Sequence, residues 1–362
     1  MRRNKLLLLS LMALLLACGC ENTNISSNNE NPSSTPEAVS TPEVSTTDSS
    51  TDEDSSSEII AGPTELYVSP DAKSFDAKGT IDDPMLIQYA IRRSRPGSTI
   101  YLLDGIYEWG DTIMMDRTTE DYLATKPEEG KILRPLNKGK VTIDFSMMAW
   151  ASSNRGIQVN TNYWTIRDLE VRNAGDNGIY IGGSYNTVEN CVTHDCGDTG
   201  IQLGRANSTL DTIDEWPSYN LIKNCTSFDN HDPLGEDSDG FACKLTTGVG
   251  NVFDGCIAYN NVDDGWDLYT KGDSGEIGPV TLINCIAFNN LASGFTDNSN
   301  PGPLYLENCT SYNNGLRDSD ANNIDMCRDE NTSVNYIKNT LSYCDQNIKF
   351  TDGFINKRIG LM

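Results

Sequence analysis

The sequence predicts a right-handed parallel β-helix from about residue 66 onward, with a short N-terminal capping helix. Two observations carry that prediction: a ten-residue segment that recurs without internal gaps, and a Gly-plus-apolar pair that follows several of its copies. The segments span 187–196 (TVENCVTHDC), 221–230, 252–261, 281–290, 305–314 and 336–345, with 165–174 as an earlier member. Their fifth column holds Leu169, Cys191, Cys225, Cys256, Cys285, Cys309 and Thr340, at intervals of 22, 34, 31, 29, 24 and 31 residues. A constant segment at variable spacing means uniform strands joined by loops of unequal length. That suits a β-solenoid and argues against helical repeats.

Within each segment apolar and polar columns alternate, the period of a strand with one face inward. The five cysteines read as buried small hydrophobes. In-register parallel neighbours are too far apart and wrongly aimed for disulfides. His194, Phe228, Tyr259, Phe288, Tyr312 and Tyr343 share another column, so His194 reads as core packing rather than catalysis. Asn260, Asn289 and Asn313 follow it, where side-chain amides can satisfy the backbone of a sharp turn.

Second strands begin at Gly178-Ile179, Gly200-Ile201, Gly240-Phe241, Gly265-Trp266 and Gly294-Phe295, with Gly read as a tight bend and the next residue as inward-pointing. Upstream, Asp82-Asp83-Pro84 resembles a helix entry, with 85–93 (MLIQYAIRR) amphipathic and Pro96-Gly97 beyond it. Such a helix would cover the open end of the solenoid, whose bare strand edges invite aggregation.

The chain divides into three parts. Residues 1–18, with Arg2, Arg3, Lys5 and an apolar run too short to span a bilayer, read as a signal peptide. Leu15-Leu16-Ala17-Cys18 resembles a lipoprotein cleavage box, which makes Cys18 the expected lipidation site. Residues 19–62, rich in Ser, Thr, Pro and Glu, read as a disordered linker, and 63–362 as the β-helix domain. The expected location is therefore secreted, at the surface of a bacterium, touching membrane only through the lipid anchor. Many free thiols on an exported chain suggest an anaerobic one.

Formal charge is −25, falling to about −28 once Arg2, Arg3 and Lys5 leave with the signal peptide. Nucleic acid and anionic membranes are therefore poor partners. A polyanionic substrate would be repelled too, unless a divalent cation bridges it. With only His194 and His231, the composition argues against a histidine-rich metal site or a Ser-His-Asp triad.

Aligning the second strands on their glycines brings Asp239 and Asp264 onto neighbouring coils. Asp263 lies beside them, and Asp267 faces outward if Trp266 points in. Four converging carboxylates need a counter-ion, and hard oxygen donors in a surface site suit Ca²⁺. The bland alternative is an acidic, solvated turn, the reading given to Asp232, Glu236 and Asp237.

The segments 238–244 (SDGFACK), 262–273 (VDDGWDLYTKGD) and 294–302 (GFTDNSNPG) resemble the pectate lyases of polysaccharide lyase family nine. The resemblance runs from about Tyr67 to about Asp345. It implies a parallel β-helix holding calcium at Asp239, Asp263, Asp264 and Asp267, and β-elimination on polygalacturonate. Calcium would neutralise the uronate carboxylate and acidify the adjacent C5 proton. A lysine near it could then serve as base.

One departure bears on activity. The family's catalytic lysine sits on a coil with a Gly-Phe-Lys segment, and here 285–290 runs directly into 291–298 as though that turn were missing. The corresponding outward position is Thr296. Lys244 and Lys271 are the remaining candidates for base or substrate binding. Three readings follow: a lyase with a relocated base, a calcium-dependent pectin-binding lipoprotein without catalysis, and a polygalacturonase-like hydrolase. The last lacks the Gly-His-Gly and Arg-Ile-Lys segments such hydrolases carry. A monomer is expected.

Overall fold

The computed structural model describes residues 64–270, 277–300, 302–317, 322–326, 335–343 and 348–350. Cys18, Lys271, the leader and the linker lie outside them. Three parallel sheets wind as a right-handed β-helix, and every third strand in sequence is a neighbour in space. Among the described residues the first sheet has ten strands, from Glu65–Val68 to Tyr336–Lys338, and the other two have nine each.

Each ten-residue repeat proves to be two strands rather than one. Thr187–Glu189 belongs to the first sheet and Val192–His194 to the second, with a corner between them. At that corner Asn190, Asn224, Asn284, Asn308 and Asn339 adopt φ between 49° and 56°. Asn tolerates this left-handed region far better than a bulky residue, which is why the column is so uniformly Asn.

The corner also resets the inside–outside alternation. Val188, Cys191, Thr193 and Cys196 all face inward. The cysteine column is therefore buried as expected, and Cys191, Cys225, Cys256, Cys285 and Cys309 are free, as are Cys196 and Cys243. Each of the five donates weakly to backbone carbonyls, as Cys256 does to Ile222 O at 3.4 Å.

The aromatic column, by contrast, lies outside. Rings of His194, Phe228, Tyr259, Phe288 and Tyr312 stack at 4.8, 4.8, 4.9 and 5.0 Å on the outer face. His194 is thus not core. It is half-buried and pairs with Asp195 at 2.6 Å. The column that does point inward is Thr193, Ser227, Ala258, Ala287 and Ser311, small residues that leave room for the third sheet's large ones. Asn260, Asn289 and Asn313 do sit at a sharp turn, with φ of 57°, 57° and 54°, and a buried amide ladder follows one residue later. Asn230, Asn261, Asn290 and Asn314 pass hydrogen bonds along the axis at 2.8, 2.9 and 2.8 Å.

In the third sheet the residue after each glycine is buried, as expected. The glycines' role differs from a tight bend. A Cβ on Gly265 would come 2.4 Å from Gly294 O, and one on Gly294 2.4 Å from Asn323 O. Close coil-to-coil approach is what excludes a side chain there.

The capping helix forms, but as Ile87–Arg93, two residues shorter at its start. Met85 remains extended, donating its N–H to Tyr67 O and bridging Val68. Ile87, Ala90 and Ile91 are buried against the first strands of the solenoid.

Candidate metal centre

Strand register builds the centre. Phe241 pairs with Trp266 and Trp266 with Phe295, and all three rings are fully buried. Phe241 and Trp266 stack at 4.6 Å. This aromatic stack replaces the Ile157–Ile179–Ile201 column of earlier coils. It fixes the backbone that aims Asp239, Asp264 and Asp267 at one point.

One carboxylate oxygen from each lies within 4.8 Å of the other two. The three residues are 0%, 4% and 4% exposed. Asp239 is held by Thr199 Oγ1, which donates to Oδ2 at 2.9 Å, and by the Asp264 N–H, which donates to Oδ1 at 3.1 Å. Asp264 accepts from the Ser293 N–H. Asp267 accepts from the Tyr269 N–H at 2.9 Å and from Asn298 Nδ2 at 3.0 Å. Burial and mutual repulsion push the Asp239 and Asp264 carboxyls well above the usual carboxylate range.

Lys244 enters this cluster. Its ammonium lies 2.8 Å from Asp239 and 3.4 Å from Asp267. Burial alone would depress the lysine, but attraction to Asp239, Asp267 and Asp198 outweighs that and raises it well above an ordinary lysine. Two carboxylates thus hold the ammonium in place.

Asp263 stands at the edge of the group, outside the set of three. Arg317 donates to its Oδ1 at 2.9 Å and also to the Gly235 carbonyl. Desolvation and Asp267 nevertheless push Asp263 up to about 7. Thr296 pairs directly with Asp267 in the register and is fully buried. Asp232 is a turn organiser, accepting four backbone N–H bonds from 234–237 that hold its carboxyl low despite burial.

Reading the sequence missed Thr199, Asn298 and Arg317. Thr199 occupies the same position before glycine as Asp239 and Asp264, so the alignment held that signal. Arg317 arrives from a loop two coils further on and left no local mark. The donor set is all oxygen, buried and short of positive charge, which fits a hard divalent cation.

The family described as "Pel9A-like, right handed beta helix region" matches residues 66–286, which include all four aspartates. The chain belongs to that family. Among its curated relatives, pectate lyase L of Paenibacillus polymyxa is 41% identical over 272 residues, covering 73% of this chain and 56% of that protein. Pectate lyase L of Thermoclostridium stercorarium is 35% identical over 226 residues, covering 62% of this chain and 17% of that protein. Pectate lyase PEL9 of Emericella nidulans is 32% identical over 304 residues, covering 66% and 70%. The chain thus spans about half or less of the first two relatives. The crystal structure of pectate lyase Pel9A superposes with a TM-score of 0.61 at 23% identity, covering 79% of this chain and 77% of that one. A rhamnogalacturonan lyase superposes at 0.56 and 19% identity, covering 80% and 83%. Membership of the Pel9A-like family accounts for the solenoid.

Proposed function

We propose that this Pel9A-like protein is a calcium-dependent pectate lyase-like protein, exported and anchored through Cys18, that recognises acidic pectic polysaccharide. Asp239, Asp264 and Asp267 would hold the cation, with Asp263 alongside. The convergence of three buried carboxylates within 4.8 Å carries the reading. Bound calcium would neutralise a uronate carboxylate and so acidify the neighbouring C5 proton. It would also reconcile a chain of charge −25 with a polyanionic polymer.

The residues around the cluster have separable tasks. Thr199, Ser293 and Asn298 fix the carboxylate rotamers, and Arg317 restrains Asp263. Elimination needs a base to remove the C5 proton while the C4–O4 bond breaks, which leaves an unsaturated uronate on one product and a hydroxyl on the other. Lys244 is tied up between Asp239 and Asp267, and Thr296 occupies the position next to Asp267. Elimination is accordingly expected to be much weaker than recognition, which favours calcium-dependent pectin binding as the second reading.

The test is ultraviolet detection of unsaturated product from polygalacturonate, with and without calcium, alongside calorimetric binding. Neither product nor calcium-dependent binding would sink both readings.

A further inference from the structure

The aspartates belong to the third sheet, and an unrelated aromatic feature stands beside the first. Tyr163, Tyr185 and Tyr219 each precede by two residues the paired positions Thr165, Thr187 and Leu221. Register therefore sets the three one above another. Their rings stack at 5.1 Å in both steps, with planes 8° and 11° apart. The stack covers three coils and stops. The same position is Gly130 on the coil before and Gly250 on the coil after.

Three observations set this stack apart from a packing ladder. All three tyrosines lie in the left-handed region, at φ of 60°, 60° and 57°, which is unfavourable for a bulky residue. Gly250 makes the same turn at φ of 74° without a ring, so the turn itself does not call for tyrosine. Tyr185 and Tyr219 also remain 46% and 52% exposed, so the rings are not kept for burial. Finally, the three phenolic hydroxyls and those of Thr165 and Thr187 make no hydrogen bond among the described residues. With Pro127 and Gly130, these side chains line a cavity of about 300 Å³. None of the lining residues is ionised.

The chemistry of the lining selects its ligand. An anion would find no cation there and would meet a chain of charge −25. A cation would find no carboxylate. Tyrosine offers an apolar body with a polar tip, and convergent hydroxyls can both donate and accept. An uncharged sugar chain, with C–H faces and many hydroxyls, answers both. The ring repeat is also close to the advance per residue of an extended β-1,4-linked hexose chain, so successive sugars would meet successive rings. We propose that this groove binds a neutral β-1,4-linked polysaccharide, apart from the acidic polymer assigned to the aspartates and without a metal ion.

The experiment is native-gel affinity electrophoresis in chelator, with hydroxyethylcellulose, β-1,4-galactan or β-1,4-glucomannan in the gel. It compares the protein with the double variant Y185N, Y219N, because asparagine accepts the left-handed turn. At least one polymer should retard the protein, and the double variant should bind that polymer about tenfold more weakly. Calcium binding measured by calorimetry should be the same in both. Retardation by none of the three polymers, or equal retardation of both proteins, would overturn the site. A dimer in light scattering that the substitutions dissociate would overturn it too, by assigning the face to a second copy. If the double variant is unfolded by circular dichroism, Y219N alone decides the matter. The gels contain chelator and no uronate, so the outcome is independent of the pectic reading.

Discussion

The Lys244 ammonium lies 2.8 Å from one carboxylate of the cluster, Asp239, and 3.4 Å from another, Asp267. The cage thus carries its own tethered cation. A single positive charge cannot balance three buried carboxylates, so negative charge is left to be met.

Lys244 and a metal ion compete for the same oxygens. Replacing Lys244 by Met should raise calcium affinity about tenfold in calorimetry, and should lower the melting temperature measured in chelator. Weaker calcium binding in the variant would show that the lysine assists the site.

The paired replacement Asp264→Asn with Asp267→Asn preserves volume while removing two of the three converging charges. Calcium binding should become undetectable, and the calcium-induced rise in melting temperature should vanish. Unchanged affinity would place the ion elsewhere.

Adding a Gly-Phe-Lys coil after Asn290 would put a lysine next to Asp267 in the register, between it and Thr296. Elimination should then increase by ~10²–10⁴-fold, the usual worth of a placed general base. Robust elimination by the natural chain, lost on Lys244→Ala or Lys271→Ala, would mean instead that the base has moved.

Lys131 offers a test of the fold away from the centre. It is 3% exposed, reaches Ser94 O at 3.3 Å and lies over the Trp164 ring. Burial, reinforced by Arg117, lowers it from 10.5 to about 8. Between those values the unfolded chain keeps a proton that the folded chain has released, so stability rises with pH across that window. Lys131→Met should flatten that rise and stabilise the protein by roughly 1–3 kcal/mol at neutral pH, read by urea denaturation. A rise of the same size in the variant would reject the assignment.

The strands and their stacking were legible because burial imposes a period of two, and the glycine alignment brought Asp239 and Asp264 together. The direction of the aromatic column was not. A left-handed Asn190 shifts the alternation by one, and nothing in an Asn-Cys pair announces a corner rather than a continuing strand. Partners such as Arg317 escaped for a different reason. They meet the centre through loops, where spacing carries no period to read.

The glycine column has a genetic corollary. Gly156, Gly178, Gly200, Gly240, Gly265 and Gly294 repeat one interlocking joint, each fitting against a carbonyl or small side chain of a neighbouring coil. Any two turns that carry the joint can be neighbours, so recombination between repeats can delete or duplicate a whole turn without leaving a mismatched seam. Chemistry carried on one turn can therefore be lost or regained in a single event while the scaffold persists. The register contact of Asp267 with Thr296 is one such joint, and it is where a further turn could be accommodated.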